Sequence, residues 1–376
     1  MFALFAPLEI GDITIKNRIT MAALARNRAE DTYPTELMKE YYVQRVHGGA
    51  GLIVSEAILI TRQGTEWPHA PGLWDDKHVE GWMNINDAVH AAGGKIYAQL
   101  WHAGRVAHPD AEQQKLAGEP VWAPSAISAR GGKFRTIPGT PGYVTPTAID
   151  DPWRLVAQFK HAAVNAKKAG FDGVELHGAN GYIINQFLDN TSNQRTDQWG
   201  GSKENRSRLG LEVLKALVEV FGKNVAVKLS PAGGYNDVGM PLEETLETFE
   251  YFITEADKLG LAYITLVRYS ERLDVVYNGV SRATKHDIVA TYRPFIHNTK
   301  VIVNAGVLPA EGAELVASGQ ADAISIGFNW ITHPDLAKRV EHGKPLDNAP
   351  DFPHLQTNKD SGDWSTGYTD YLTAVY

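Results

Sequence analysis

Cysteine is absent from the 376-residue chain. That excludes disulfides, thiol nucleophiles, thiolate zinc sites and cysteine-ligated iron–sulfur clusters. Long apolar runs are missing as well. Nothing approaches the roughly 18 uncharged residues of a membrane span, and the Met1 end lacks the basic stretch and apolar core of a secretory leader. Positive charge is scarce: 36 Lys and Arg stand against 44 Asp and Glu, for a net charge of −8. With no basic tract, nucleic acid is not an expected partner. What is present is an ordinary globular composition, 43% hydrophobic and 21% charged. The 12 Phe, 9 Trp and 15 Tyr suffice for a core or for a flat apolar pocket.

Short β-branched runs recur along the chain at Ile19–Ala23, Gly51–Ser55, Lys95–Leu100, Gly173–Leu176, Val225–Leu229, Ala262–Leu266, Val301–Asn304 and Ala323–Ile326. Several, such as Leu52-Ile53-Val54 and Val301-Ile302-Val303, are continuously apolar, the pattern of strands buried on both faces of a parallel sheet. Helical spacing fills the intervals, at Pro34–Val46, Trp153–Ala169, Leu209–Phe221 and Glu243–Leu259. Eight alternations predict a single α/β domain over residues 1–376, a (β/α)₈ TIM barrel, with a doubly wound sheet as the weaker alternative. Residues 1–18 read as an N-terminal β-hairpin that plugs the barrel bottom with Ile13 and Ile15. Residues 103–150, rich in Gly, Pro, Ser and Ala, read as a capping insertion after the third strand. Residues 343–376 form a C-terminal tail.

Side chains just past barrel strands converge on one mouth. Here they include Ala25, Glu56, Ala57, Gln99, Trp101, His177, Asn180, Lys228 and Tyr269. The set is polar but poor in carboxylates, so it offers no pair of acids for glycosidase chemistry. It also lacks the His-x-His or His-Glu-x-x-His spacing of a metal centre, and no metal is expected. Neutral hydrogen-bonding groups predominate: Gln99, His177 and Asn180, with the cation Lys228 and the phenol Tyr182. Glycines after the seventh and eighth strands, Gly306 and Gly327, fit phosphate-binding turns, although plain helix-starting turns would look the same. Together these residues suggest a phosphorylated, amide-rich cofactor lying across the barrel.

Ordered blocks carry a family resemblance. They are Leu4-Phe5-Ala6-Pro7-Leu8, Lys16-Asn17-Arg18-Ile19, Glu40-Tyr41-Tyr42-x-Gln44-Arg45, Gly51 to Ala57, Ala70 to Trp74 and Gln99-Leu100-Trp101-His102-x-Gly104-Arg105. Further along come Gly170 to Tyr182, Gln186-Phe187-Leu188, Ser192 to Gly201, Glu204-Asn205-Arg206 and Gly367-Tyr368-Thr369-Asp370-Tyr371. From Leu4 to about Tyr371 the chain resembles the Old Yellow Enzyme family of FMN-dependent ene-reductases. The resemblance implies a non-covalent FMN at the barrel mouth and NADPH as reductant. It also implies reduction of activated C=C bonds in unsaturated carbonyl or nitro compounds, in the cytoplasm, by a monomer or homodimer.

By the same resemblance His177 and Asn180 bind the substrate's electron-withdrawing oxygen, and Tyr182 is the proton donor. The flavin falls to Ala23, Leu24, Ala25, Ala57, Gln99, His177 and Lys228, and its phosphate to Ala305, Gly306, Gly327 and Phe328. Trp67, Trp101, Tyr269 and Trp364 join His177, Asn180 and Tyr182 around the substrate. The chain departs from the family where Ala25 replaces Thr or Cys, Lys228 replaces Arg, and Phe328-Asn329 stand in place of a Gly-Arg pair whose guanidinium meets the phosphate. A redox-neutral flavoprotein isomerase of the same fold, or a barrel that has lost its flavin and binds small molecules, are the alternatives.

Overall fold

The computed structural model describes residues 2–65, 67–134, 136–356 and 362–376. Its twelve strands are β1 (Leu8–Ile10), β2 (Ile13–Ile15), β3 (Ile19–Met21), β4 (Leu52–Leu59), β5 (Ile96–Trp101), β6 (Trp122–Ala123), β7 (Thr147–Ala148), β8 (Gly173–Gly178), β9 (Val225–Leu229), β10 (Tyr263–Val267), β11 (Lys300–Asn304) and β12 (Ala323–Ile326). Eight of them close in the order β3, β4, β5, β8, β9, β10, β11, β12, with parallel pairing throughout. The (β/α)₈ barrel predicted from the apolar runs is thus present, and each run maps to one barrel strand.

Boundaries moved for physical reasons. β4 continues to Leu59, past Ser55 and Glu56, because a bulge absorbs them: Val54 pairs with Tyr97, but Ala57 pairs with Gln99. The helix predicted to start at Leu209 starts at Lys203, where the Ser202 side chain accepts from the Asn205 N–H at 3.3 Å. Asp75 likewise caps Asp76–Ala91, accepting from the His78 N–H at 2.9 Å.

β1 and β2 form an antiparallel hairpin beneath the barrel. Leu8, Ile10 and Ile15 pack there with Leu52, Val54, Tyr97, Tyr263 and Ile302, while Ile13 is half-buried. The hairpin turn needs Gly11. It has φ +56°, and a Cβ would lie 2.8 Å from the Lys223 carbonyl oxygen. Between β5 and β8 the connection is more structured than its composition suggested, with a short helix Glu112–Ala117 and the parallel pair β6 and β7.

Candidate active site

The end of β8 and the loop that follows it gather three of the predicted groups. His177 is buried, and its Nδ1 accepts a long hydrogen bond from the Ala179 N–H at 3.4 Å. Its Nε2 is therefore the N–H of a neutral ring. Burial, helped by the charge of Lys228, holds the imidazole well below its ordinary pKa and keeps it neutral. Asn180 takes the left-handed conformation at φ +58°, which Asn tolerates better than most residues. Its N–H donates to Ser230 Oγ at 2.7 Å, its carbonyl accepts from Asn236 Nδ2 at 2.9 Å, and its Oδ1 is buried with no partner. Tyr182 precedes the helix Ile183–Leu188 and stands edge-on to the rings of His177 (4.8 Å) and Trp101 (5.2 Å). Trp101 Nε1 is buried and unpartnered as well.

Below this loop the barrel wall is an unusually polar layer. Gln99 Nε2 donates to Glu175 Oε1 at 2.7 Å, and Thr265 Oγ1 donates to Glu175 Oε2 at 3.3 Å. Lys228 pairs in register with His177 and is buried. Desolvation lowers the Lys228 pKa and raises that of Glu175, while their attraction opposes both shifts. The bulge in β4 brings Ala57 beside Gln99, and Ser55 Oγ accepts from the Gln99 N–H at 3.1 Å.

The opposite wall is apolar and open. After β11, Ala305 and Gly306 both have positive φ, +73° and +68°. Successive backbone N–H groups in such a turn form a concave anion cradle. A Cβ at Gly306 would meet nothing nearer than Arg268 Nη2 at 3.8 Å, and one at Gly327 only Leu24 at 3.4 Å and Ala22 at 3.9 Å. Both turns therefore leave room for a ligand. Leu24, Ala25, Trp67 and Phe328 share the lining of a cavity of about 860 Å³ with Phe134, Tyr143, Tyr235 and Phe352. The cavity adjoins the β8 loop through Asn236, which bonds the Asn180 carbonyl and accepts from Tyr143 Oη at 2.9 Å. Unpartnered buried polar atoms, an open backbone cradle and a buried cation fit FMN, a flat, amide-rich, phosphorylated cofactor.

Two further predicted substrate contacts have protein partners of their own. Tyr269 donates to Asp274 Oδ2 at 3.0 Å, pinning the loop after β10. Trp364 lies edge-on to His69 at 4.9 Å, and its carbonyl accepts from Arg28 Nε at 2.9 Å.

Residues overlooked in the sequence build the roof. Buried Arg26 donates to the carbonyls of Leu355 (2.9 Å) and Gly367 (2.6 Å), and Arg28 donates to that of His354 (2.8 Å). Tyr368 stacks flat on Tyr41 at 4.1 Å, with the Arg45 guanidinium 3.6 Å from the Tyr41 centroid. These contacts hold Phe352, Pro353 and Leu355 over the cavity. Glu56 lies beneath. Burial pushes its carboxyl up to about 7, against the Arg26 and Asn27 N–H groups that it accepts from. The signal was in the sequence: the Tyr41 to Arg45 block and the Gly367 to Tyr371 block are partners.

Comparison with known proteins agrees with this geometry. The sequence pattern of the NADH:flavin oxidoreductase / NADH oxidase family matches residues 3–347. The chain is 36% identical over 388 residues to chanoclavine-I aldehyde reductase fgaOx3 of Penicillium roqueforti, covering 99% of this chain and 96% of that one. An old yellow enzyme homologue from Zymomonas mobilis superposes with TM-score 0.87 at 36% identity, over 98% of this chain and 99% of its own. Morphinone reductase in complex with tetrahydroNAD gives TM-score 0.86 at 35% identity, over 99% and 98%. The chain therefore belongs to this flavin oxidoreductase family, the Old Yellow Enzymes. It is an FMN-dependent ene-reductase that draws on a nicotinamide cosubstrate.

Proposed function

We propose that this enzyme reduces the C=C bond of α,β-unsaturated carbonyl or nitro compounds with NADPH, through His177, Asn180 and Tyr182. The observation that carries this reading is their convergence at the end of β8, with Asn180 Oδ1 buried and unpartnered and His177 held neutral. The chemistry that bound FMN supplies is two-electron hydride transfer. Gln99, Ala57 and Lys228 would hold its ring system, and the turns at Ala305-Gly306 and Gly327-Phe328 its phosphate.

His177 Nε2–H and the Asn180 amide donate to the substrate oxygen. Negative charge builds on that oxygen as the β-carbon accepts hydride, and aimed donors in a dry site stabilise it by a few kcal/mol. A neutral imidazole binds an uncharged carbonyl without competing for its own counterion. Tyr182, edge-on to His177, delivers the proton to the α-carbon. The cavity's aromatic lining suits flat, apolar substrates. Cytoplasmic residence as a monomer or homodimer belongs to the same proposal.

Anaerobic stopped flow with Tyr182→Phe tests the roles. Flavin reduction by NADPH should proceed at the parent rate, while reoxidation by an enone should slow about 100-fold, in the usual range for losing a general acid. An unchanged reoxidation rate, or isomerised enone formed without NADPH consumption, would overturn the reading.

A further inference from the structure

The loop after β10 carries a cation that the family pattern does not assign. Arg272 lies in the short turn Glu271–Leu273, and its guanidinium stands 4.5 Å from the centroid of Phe328. Phe328 directly follows the Gly327 turn, and with Asn329 it stands where the resemblance places a Gly-Arg pair. Arg272 is exposed on its outer side, yet it lines the cavity together with Phe328 and Ala25.

The charge balance of this cavity is one-sided. Its described lining contains Arg26, Lys133 and Arg272 but neither Asp nor Glu, in a chain whose net charge is −8. Arg26 is committed to the tail carbonyls. Arg268, near Gly306, is neutralised by Glu311 and tied by its Nε to the Ala305 carbonyl at 3.1 Å, so it shapes the turn without adding net charge. Lys133 sits on the capping insertion. Arg272 is left beside the Gly327 turn, with its guanidinium over an aromatic face and no ion pair to a carboxylate among the described residues. Its loop is fixed by the Tyr269–Asp274 bond, two residues beyond it.

We propose that Arg272 binds a phosphate monoester at this mouth, in place of the guanidinium that Phe328-Asn329 do not supply. The proposal rests on the flavoprotein reading above. Stacking on Phe328 holds the fork at the edge of the Gly327 turn, where a phosphate gripped by backbone N–H groups would still need a counter-charge. Two molecules in this reaction carry such a group: FMN on its ribityl chain, and NADPH on its adenosine ribose. Adjacency to Gly327 favours FMN.

Deflavinated full-length protein separates the cases. FMN and riboflavin, which lacks the phosphate, are titrated into the parent and Arg272→Gln by flavin fluorescence, at low and at moderate salt. The loss of a charge-assisted hydrogen bond should weaken FMN about 10- to 100-fold. Riboflavin affinity should stay unchanged, the salt dependence of FMN binding should shrink, and Arg272→Lys should restore part of the loss. If FMN binding is unaltered but the preference for NADPH over NADH collapses in Arg272→Gln, the phosphate is that of the cosubstrate, and the assignment of Arg272 stands. If FMN, riboflavin, NADPH and NADH all behave as in the parent, or if FMN and riboflavin weaken equally, the proposal is overturned. Parent protein that takes up neither flavin would instead overturn the flavoprotein reading beneath it.

Discussion

The two walls of the mouth differ in how far they follow the family. On the β5 and β8 side, the expected Gln99, His177, Asn180 and Tyr182 are present and cross-braced, and Lys228 of neighbouring β9 is the one departure there. On the β3 and β12 side, Ala25 and Phe328-Asn329 replace the expected polar groups, and the wall is a loose aromatic cavity. Substrate polarisation needs donors at fixed angles around one oxygen, so few side chains serve. Anchoring a phosphate can draw on backbone N–H groups and on any nearby cation. The wall that polarises is therefore constrained by geometry, and the wall that anchors is free to be rebuilt.

The largest effect that could break this contrast comes from the constrained wall. His177→Ala with Asn180→Ala should lower enone reduction by at least about 100- to 1000-fold, the usual cost of losing aimed donors. It should also abolish the long-wavelength charge-transfer band expected with phenols, and leave flavin content intact. A double variant that still binds phenols with that band would remove the basis for calling this wall the polarising one.

Gly327→Val addresses the anchoring wall. Gly327 has an ordinary negative φ of −100°, and its Cβ would touch only Leu24 and Ala22 at normal distances. The fold should therefore tolerate valine, whose methyls would block the approach to the turn. Flavin per chain after purification should fall severalfold at unchanged melting temperature. Full occupancy would place the phosphate elsewhere.

A third substitution tests the cost of rebuilding. Ala25 offers no donor to the flavin, where the resemblance implies one. Ala25→Thr should raise the flavin potential by about 30–65 mV, the equivalent of a charge-assisted hydrogen bond worth roughly 1.5–3 kcal/mol in a two-electron couple. Reduction by NADPH should speed up and reoxidation should slow. A potential that stays level or drops would mean that another donor already serves the ring.

The smallest effect concerns Ala305, held at φ +73° where a Cβ is strained by roughly 1–2 kcal/mol. Ala305→Gly relieves that strain but adds about 0.4–1 kcal/mol of unfolded-state entropy. A rise in melting temperature of about 1–2 °C is expected. A fall would show that the turn is not strained there.

The barrel was legible because parallel strands covered on both faces are nearly all apolar, as Leu52-Ile53-Val54 shows. Polar stretches were harder to read. Ser55 and Glu56 belong to β4 only because a bulge accommodates them, and Glu204-Asn205-Arg206 opens a helix whose first turn has no apolar residue, its buried Arg206 donating instead to the Leu188 carbonyl. The β8 loop could be read residue by residue because its chemistry sits within six positions, His177 to Tyr182. The roof could not, since its bonds run from side chains to carbonyls hundreds of residues away and carry no local periodicity. For the same reason the bonds of Tyr269 to Asp274 and of Trp364 to His69 were not legible.

The roof also sets an order of assembly. Arg26 emerges from the ribosome long before its partner Gly367, which follows 341 positions later. The last barrel strand ends at Ile326, so the 41 residues up to Gly367 remain to be made when the strands are complete. At roughly 5–20 residues per second, that is an interval of about 2–8 seconds. Through it every barrel strand exists while the wall formed by Phe352, Pro353 and Leu355 is unfinished, and the mouth begins its life as an open cleft.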